Sequence, residues 1–186
     1  MKPNDAPNDA MLLCIDMQPV FVRAIFESER VLHRCEFALA AAVGLGLRVA
    51  FTEQVPQKLG GTAPALLALA PGAPVWGKGT FSALADDGIR DALLRENAVQ
   101  HIVICGLETP VCVYQTAVGA LASGLQVTLL SDAVGARRPD DARACLDALA
   151  RAGAHILPAE TVFYAILGGV SHPYFRAYTQ LVKSHG

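Results

Sequence analysis

Three side chains in this chain have complementary chemistry: a carboxylate at Asp16, an ammonium at Lys78 and a thiol at Cys112. A thiolate attacks a carbonyl carbon, a carboxylate beside it carries the proton, and a lysine offsets the negative charge. Cys112 follows His101-Ile-Val-Ile-Cys105, a short β-branched run that predicts a buried strand, and Gly106 ends that run. Thr109 before Pro110 predicts an N-cap with proline at the first helical position, which puts Cys112 in the first turn of a helix. Free N–H groups and the helix dipole favour negative charge there, easing loss of the thiol proton. The same turn N–H groups would hold an oxyanion. By position alone, Cys112 is equally a small core residue.

Asp16 ends the apolar run Met11-Leu-Leu-Cys-Ile15. A carboxylate at the end of a buried strand needs a partner, and the carboxyl ends of strands in open α/β sheets form the ligand crevice. Asp16 is therefore a helix-capping acid or a site acid. Lys78 lies between Gly77 and Gly79, a setting that suits a solvated loop lysine, although Trp76 and Phe81 nearby point to partial burial. Gln18, Gln54, Phe21, Trp76 and Phe81 are the candidates for substrate contact; the two glutamines equally fit exposed loops.

These groups meet only if strands bring them together. Strand patterns occur at 11–15, 47–52, 101–105, 125–130 and 155–158, with Ser131-Asp132-Ala133 closing the fourth and Pro158 marking the last as an edge strand. Helical patterns fall between them at 29–42, ended by Gly44 and Gly46, and at 63–70, 86–97, 113–121 and 137–152, then at 161–167 and 173–183. The alternation predicts an α/β fold: a three-layer α/β/α sandwich with a mostly parallel, Rossmann-like sheet of about six strands. Residues 1–10 read as a flexible arm and 11–186 as one domain.

Composition narrows the partners. A hydrophobic content of 53% with 17% charged residues excludes a disordered chain. The net charge of −2 offers no basic face, so neither nucleic acid nor an anionic membrane is an expected partner, and no apolar run is long enough to span a bilayer. The apolar surplus and the aromatic terminal segment (Tyr174, Phe175, Tyr178) predict a homo-oligomer. Five cysteines without close pairing indicate a reducing cytoplasm. The histidines at 33, 101, 155, 172 and 185 are scattered, so no metal is expected, and no cofactor either: a G-x-G-x-x-G turn after the first strand is absent, as is a G-x-S-x-G elbow.

At this point the sequence resembles the isochorismatase-like cysteine hydrolases, over about Met11 to Lys183. Leu13-Cys-Ile-Asp-Met-Gln18, Lys78-Gly-Thr-Phe-Ser-Ala-Leu84 and Cys105-Gly-Leu-Glu-Thr-Pro-Val-Cys-Val-Tyr-Gln-Thr116 carry the resemblance, with Ser131-Asp132-Ala133 and His172-Pro-Tyr-Phe175 adding to it. It implies a catalytic triad of Asp16, Lys78 and Cys112. It also implies a cis peptide between Leu107 and Glu108, and an oxyanion hole from the backbone N–H groups of Glu108 and Cys112. Assembly as dimers, tetramers or larger rings is implied too. The segment after the second strand, Thr52-Glu-Gln-Val-Pro-Gln-Lys-Leu-Gly-Gly61, has no histidine, unlike the metal-binding nicotinamidases, so this chain looks like the metal-free subgroup of undefined substrate. The implied activity is cleavage of a small amide or carbamoyl C–N bond through a Cys112 thioester. The rivals are a redox-responsive or non-catalytic scaffold and a vinyl-ether hydrolase that does not need the thiol.

Overall fold

The computed structural model describes residues 9–96 and 98–185; most of the expected N-terminal arm lies outside them. Six strands form one sheet: β1 (Ala10–Ile15), β2 (Arg48–Gln54), β3 (Val75–Lys78), β4 (His101–Leu107), β5 (Gln126–Gly135) and β6 (His155–Leu157). Their order is β3-β2-β1-β4-β5-β6, and every neighbouring pair is parallel. The helices are α1 (Pro19–Val22), α2 (Ser28–Gly44), α3 (Pro56–Leu59), α4 (Pro64–Leu69), α5 (Asp87–Asp91), α6 (Tyr114–Ala122), α7 (Pro139–Arg151), α8 (Ala159–Leu167) and α9 (Phe175–His185).

A strand buried on both faces must be apolar throughout, and its alternate side chains must feed two cores. In β1, Leu12 and Cys14 enter a core built from α2, α4, α8 and α9, around Phe37, Leu66, Phe163 and Tyr178. Met11, Leu13 and Ile15 enter the opposite core, with Ile89 of α5, Ala117 and Ala120 of α6, and Leu149 of α7. Strand β4 divides the same way, Val103 and Cys105 to the first core and Ile102 and Ile104 to the second. The result is the three-layer sandwich.

The strand order reverses between β1 and β4, and such a switch point opens a crevice at the carboxyl ends of the strands. Gly106 makes the close approach there possible. Its φ is +110°, and a Cβ at this position would sit 2.2 Å from the Ile15 carbonyl oxygen, so only glycine fits.

Several elements depart from their sequence patterns. Lys78 is the last residue of strand β3 rather than part of a loop, and β3 is a half-exposed edge strand too short to show alternation. β5 runs on through Ser131-Asp132-Ala133 to Gly135, because an irregularity in its pairing with β4 after Ile104 lets it re-form against Gly106 and Leu107. The segment expected as one helix at 86–97 is α5 followed by a π-helical turn, Ala92–Glu96. Helix α2 includes Gly44, over which the Tyr174 ring packs.

Candidate active site

Asp16 is the first residue beyond β1 and is 1% exposed. Its N–H donates to the Thr52 carbonyl on β2 (3.0 Å), and its φ of +49° turns the chain out of the sheet. One carboxylate oxygen, Oδ1, accepts from the Thr52 hydroxyl (2.7 Å), and Oδ2 accepts from Lys78 Nζ (2.7 Å). Neither charge is solvated, so each must be satisfied by protein groups. The Lys78 ammonium places its three protons on Asp16 Oδ2, Gln54 Oε1 (2.6 Å) and the Thr80 carbonyl (3.2 Å), which exhausts its donors. Gln54 stands opposite Lys78 in the β2–β3 register, and its amide nitrogen donates to the Gly79 carbonyl (3.2 Å).

Cys112 faces this pair from the far side of the switch point. It lies in a π-helical turn, Thr109–Val113, that precedes α6. Thr109 does not cap the turn, since its hydroxyl donates to the Gly135 carbonyl on β5 (2.9 Å) and so ties the turn to the sheet. The Cys112 Sγ approaches Gln54 Oε1 at 3.9 Å. The expected easing of ionisation is reversed: burial pushes the Cys112 thiol up to about 12, the Asp16 carboxylate pushes the same way, and Lys78 offsets them only in part. Desolvation of this buried residue, 7% exposed, is the largest cause of the shift. The resting site is therefore a neutral thiol beside a carboxylate–ammonium pair.

Asp16, Gln54, Glu108 and Cys112 supply the polar lining of a cavity of about 90 Å³, and Phe21, Phe81 and Val111 the apolar part. The Leu107–Glu108 peptide bond is cis. The Glu108 carboxylate accepts from Arg137 Nε with both oxygens (3.0 and 3.1 Å), so the acid at the cavity is paired from the loop before α7. Phe21, Phe81 and Gln54 thus line the cavity, as their sequence positions suggest. Gln18 and Trp76 do not. Gln18 is fully buried; its Oε1 accepts from the Gln54 N–H (2.7 Å) and its Nε2 donates to the Gln54 carbonyl (3.1 Å) and to Gly60. It serves as an extra strand edge that fixes β2. Trp76 packs against the core that holds Ala50 and Ala117.

Val111, Arg137 and Thr52 carry no sequence signal of their own; they belong to the site through register and loop path. Glu53, next to last in β2, accepts from the Thr62 N–H (2.7 Å). The group of metal donors found among the described residues, His33, Glu36 and His185, lies on α2 and α9, away from the cavity lining.

A family model described as the isochorismatase domain matches residues 10–161. Isochorismatase domain-containing protein 2 of Bos taurus is 31% identical over 177 residues, covering 95% of this chain and 84% of its own. Among solved structures, the MAR1 ribonuclease of Caenorhabditis elegans superposes with a TM-score of 0.89 at 29% identity, over 98% of this chain and 94% of that one. YcaC from Pseudomonas aeruginosa, solved with hexane-2,5-diol and covalent acrylamide, superposes with a TM-score of 0.79 at 25% identity, over 98% and 96% of the two chains.

Proposed function

The chain belongs to the isochorismatase family of hydrolases, and from that premise we propose that it hydrolyses a small amide or carbamoyl C–N bond through a thioester on Cys112. The observation that carries the proposal is that Asp16 and the Cys112 thiol line one small cavity, with the buried Lys78 ammonium 2.7 Å behind the Asp16 carboxylate. As Sγ attacks the carbonyl carbon, its proton passes to Asp16, which avoids a free thiolate in a site that disfavours one. The carbonyl oxygen, now an oxyanion, is held by the backbone N–H groups of Glu108 and Cys112. Collapse breaks the C–N bond, and the leaving nitrogen takes the proton from Asp16. Water then attacks the thioester, Asp16 accepts the water proton, the acid departs and the proton returns to sulfur. Lys78 stays charged throughout and compensates Asp16 whenever the acid is ionised.

Size and charge support a small neutral substrate. A cavity of about 90 Å³ matches roughly three water volumes. This admits a carbonyl group with a short substituent beside the thiol, and the ribonuclease activity named for the Caenorhabditis elegans protein is not carried over. Both carboxylates on the lining are already paired, Asp16 with Lys78 and Glu108 with Arg137, which leaves no unpaired charge there to recruit an ionic substrate. The covalent acrylamide in the Pseudomonas aeruginosa protein is an amide of suitable size. No bound metal or cofactor enters this mechanism. We assign the protein to the reducing cytoplasm, in keeping with its free cysteines, and to a homo-oligomer, in keeping with exposed Phe26, Phe81, Val118 and Tyr164; a monomer by light scattering would refute the latter.

The test is a panel of small neutral amides and ureas against the wild type, Cys112→Ser and Cys112→Ala, with mass spectrometry for an acyl adduct. Turnover by the wild type alone, with the adduct on Cys112, is the expected result. Turnover retained by both variants would end the covalent mechanism and favour vinyl-ether chemistry.

A further inference from the structure

We propose that His33, Glu36 and His185 form a binding site for one transition-metal ion, of the Zn²⁺ class, that staples the last turn of α9 to α2. His33 and Glu36 are three residues apart on α2 and so project from one face of that helix. His185 comes from the end of α9, and the three donor atoms lie within 4.8 Å of one another. The His33 Nδ1 to Glu36 Oε2 separation is 3.6 Å. Two ligands on a tetrahedral ion with bonds near 2.1 Å stand about 3.4 Å apart, so this pair already has the spacing of a shared shell. The rings of His33 and His185 stack, centroids 4.4 Å apart and 20° between planes, so shared ligation turns the exposed His33 ring out of the stack to aim its in-plane lone pair at the ion.

His185 is also prepared as a ligand. Its Nδ1 lies 3.1 Å from the Leu181 carbonyl. Nδ1 also lies 2.9 Å from the Ser184 hydroxyl; in the tautomer with the hydrogen on Nδ1 the imidazole is held by the backbone carbonyl and Nε2 keeps a free lone pair for a metal. The nearby cation does not oppose an ion strongly, because the Arg34 guanidinium is neutralised by Asp132 at 2.6 and 2.8 Å. Two imidazoles and one carboxylate suit Zn²⁺, Co²⁺, Ni²⁺ or Cu²⁺ and not Mg²⁺ or Ca²⁺. Lys183 and Ser184 in the last turn of α9 are exposed, and this ion would tie that turn to α2. The histidines read as scattered in the sequence because the partners are separated by almost the whole chain.

The experiment titrates tag-free, full-length protein with Zn²⁺ and with Co²⁺, following stoichiometry by equilibrium dialysis, coordination by the visible Co²⁺ spectrum, and Tm by calorimetry. The expected result is one ion per chain at micromolar affinity, a nitrogen–oxygen Co²⁺ spectrum, and a Tm that rises with Zn²⁺ but not with Mg²⁺. His33→Ala and His185→Ala should each weaken binding by about tenfold or more, and Cys145→Ser, which removes the partly exposed thiol, should not. Absence of a saturable site, a thiolate-to-Co²⁺ charge-transfer band, or undiminished binding by His33→Ala with Glu36→Gln would each overturn the proposal. Because these residues lie outside the Cys112 cavity, either result is independent of amide hydrolysis.

Discussion

Replacing Asp16 with asparagine should separate the two roles its carboxylate holds. The substitution keeps the shape but removes the charge that faces Lys78 at 2.7 Å, leaving a buried ammonium with only Gln54 and Thr80 as acceptors. Breaking a buried pair from one side costs about 3–5 kcal/mol. For a domain of this size that lowers Tm by roughly 6–20 °C. Losing the proton carrier should slow turnover by about 10²–10⁴-fold, or roughly 3–5 kcal/mol of barrier. The thiol should move the opposite way. Asp16 is one of the groups that push Cys112 up, so Asp16→Asn should ionise Cys112 at lower pH and alkylate it faster. The assay is iodoacetamide labelling with mass-spectrometric site assignment, over about pH 7 to 11. Site assignment matters because Cys145 is partly exposed and would also react. The double variant Asp16→Asn with Lys78→Met should recover stability without recovering activity. Turnover within tenfold of wild type, or labelling no faster than wild type, would refute the placement of Asp16 as proton carrier beside the sulfur.

Other substitutions probe the frame. Gly106→Ala should destabilise by about 3 kcal/mol or more, from left-handed strain and a forced shift of β1 against β4, read by denaturant unfolding. Thr52→Val preserves shape but leaves Asp16 Oδ1 without its hydroxyl donor; it should cost about 1.5–3 kcal/mol and lower kcat more than it raises KM. Cys112→Ser should flatten the alkaline loss of stability. The raised folded-state pKa keeps the thiol protonated from pH 9.0 to about 12 while the unfolded thiol ionises. Its contribution is therefore complete below 9.0 and declines by about 1.4 kcal/mol per pH unit above it. Equal alkaline slopes for wild type and variant would contradict the burial of this sulfur.

Local pattern was enough for much of this protein. Apolar runs ending in Asp16 and Cys105, and turn residues such as Gly106 and Pro110, mark strands, strand ends and the helix start, because those choices depend on near neighbours in the chain. The motifs around Asp16, Lys78 and Cys112 made the proposed triad and the cis Leu107–Glu108 bond readable as a resemblance. What the chain pattern concealed was long-range. β3 is four residues at an edge, without periodicity to betray it, and Gln18 looks like a loop glutamine until its amide is seen closing on the Gln54 backbone. The direction of the thiol's pKa shift was misjudged for the same reason: a helix start is visible in sequence, whereas desolvation and the charge of Asp16, 96 residues earlier, exist only once the sheet has formed. The sequence by itself determined the element types and the reactive groups. Tertiary structure decided their protonation, their partners and the cavity between them, because electrostatics and burial depend on distance through space and not along the chain.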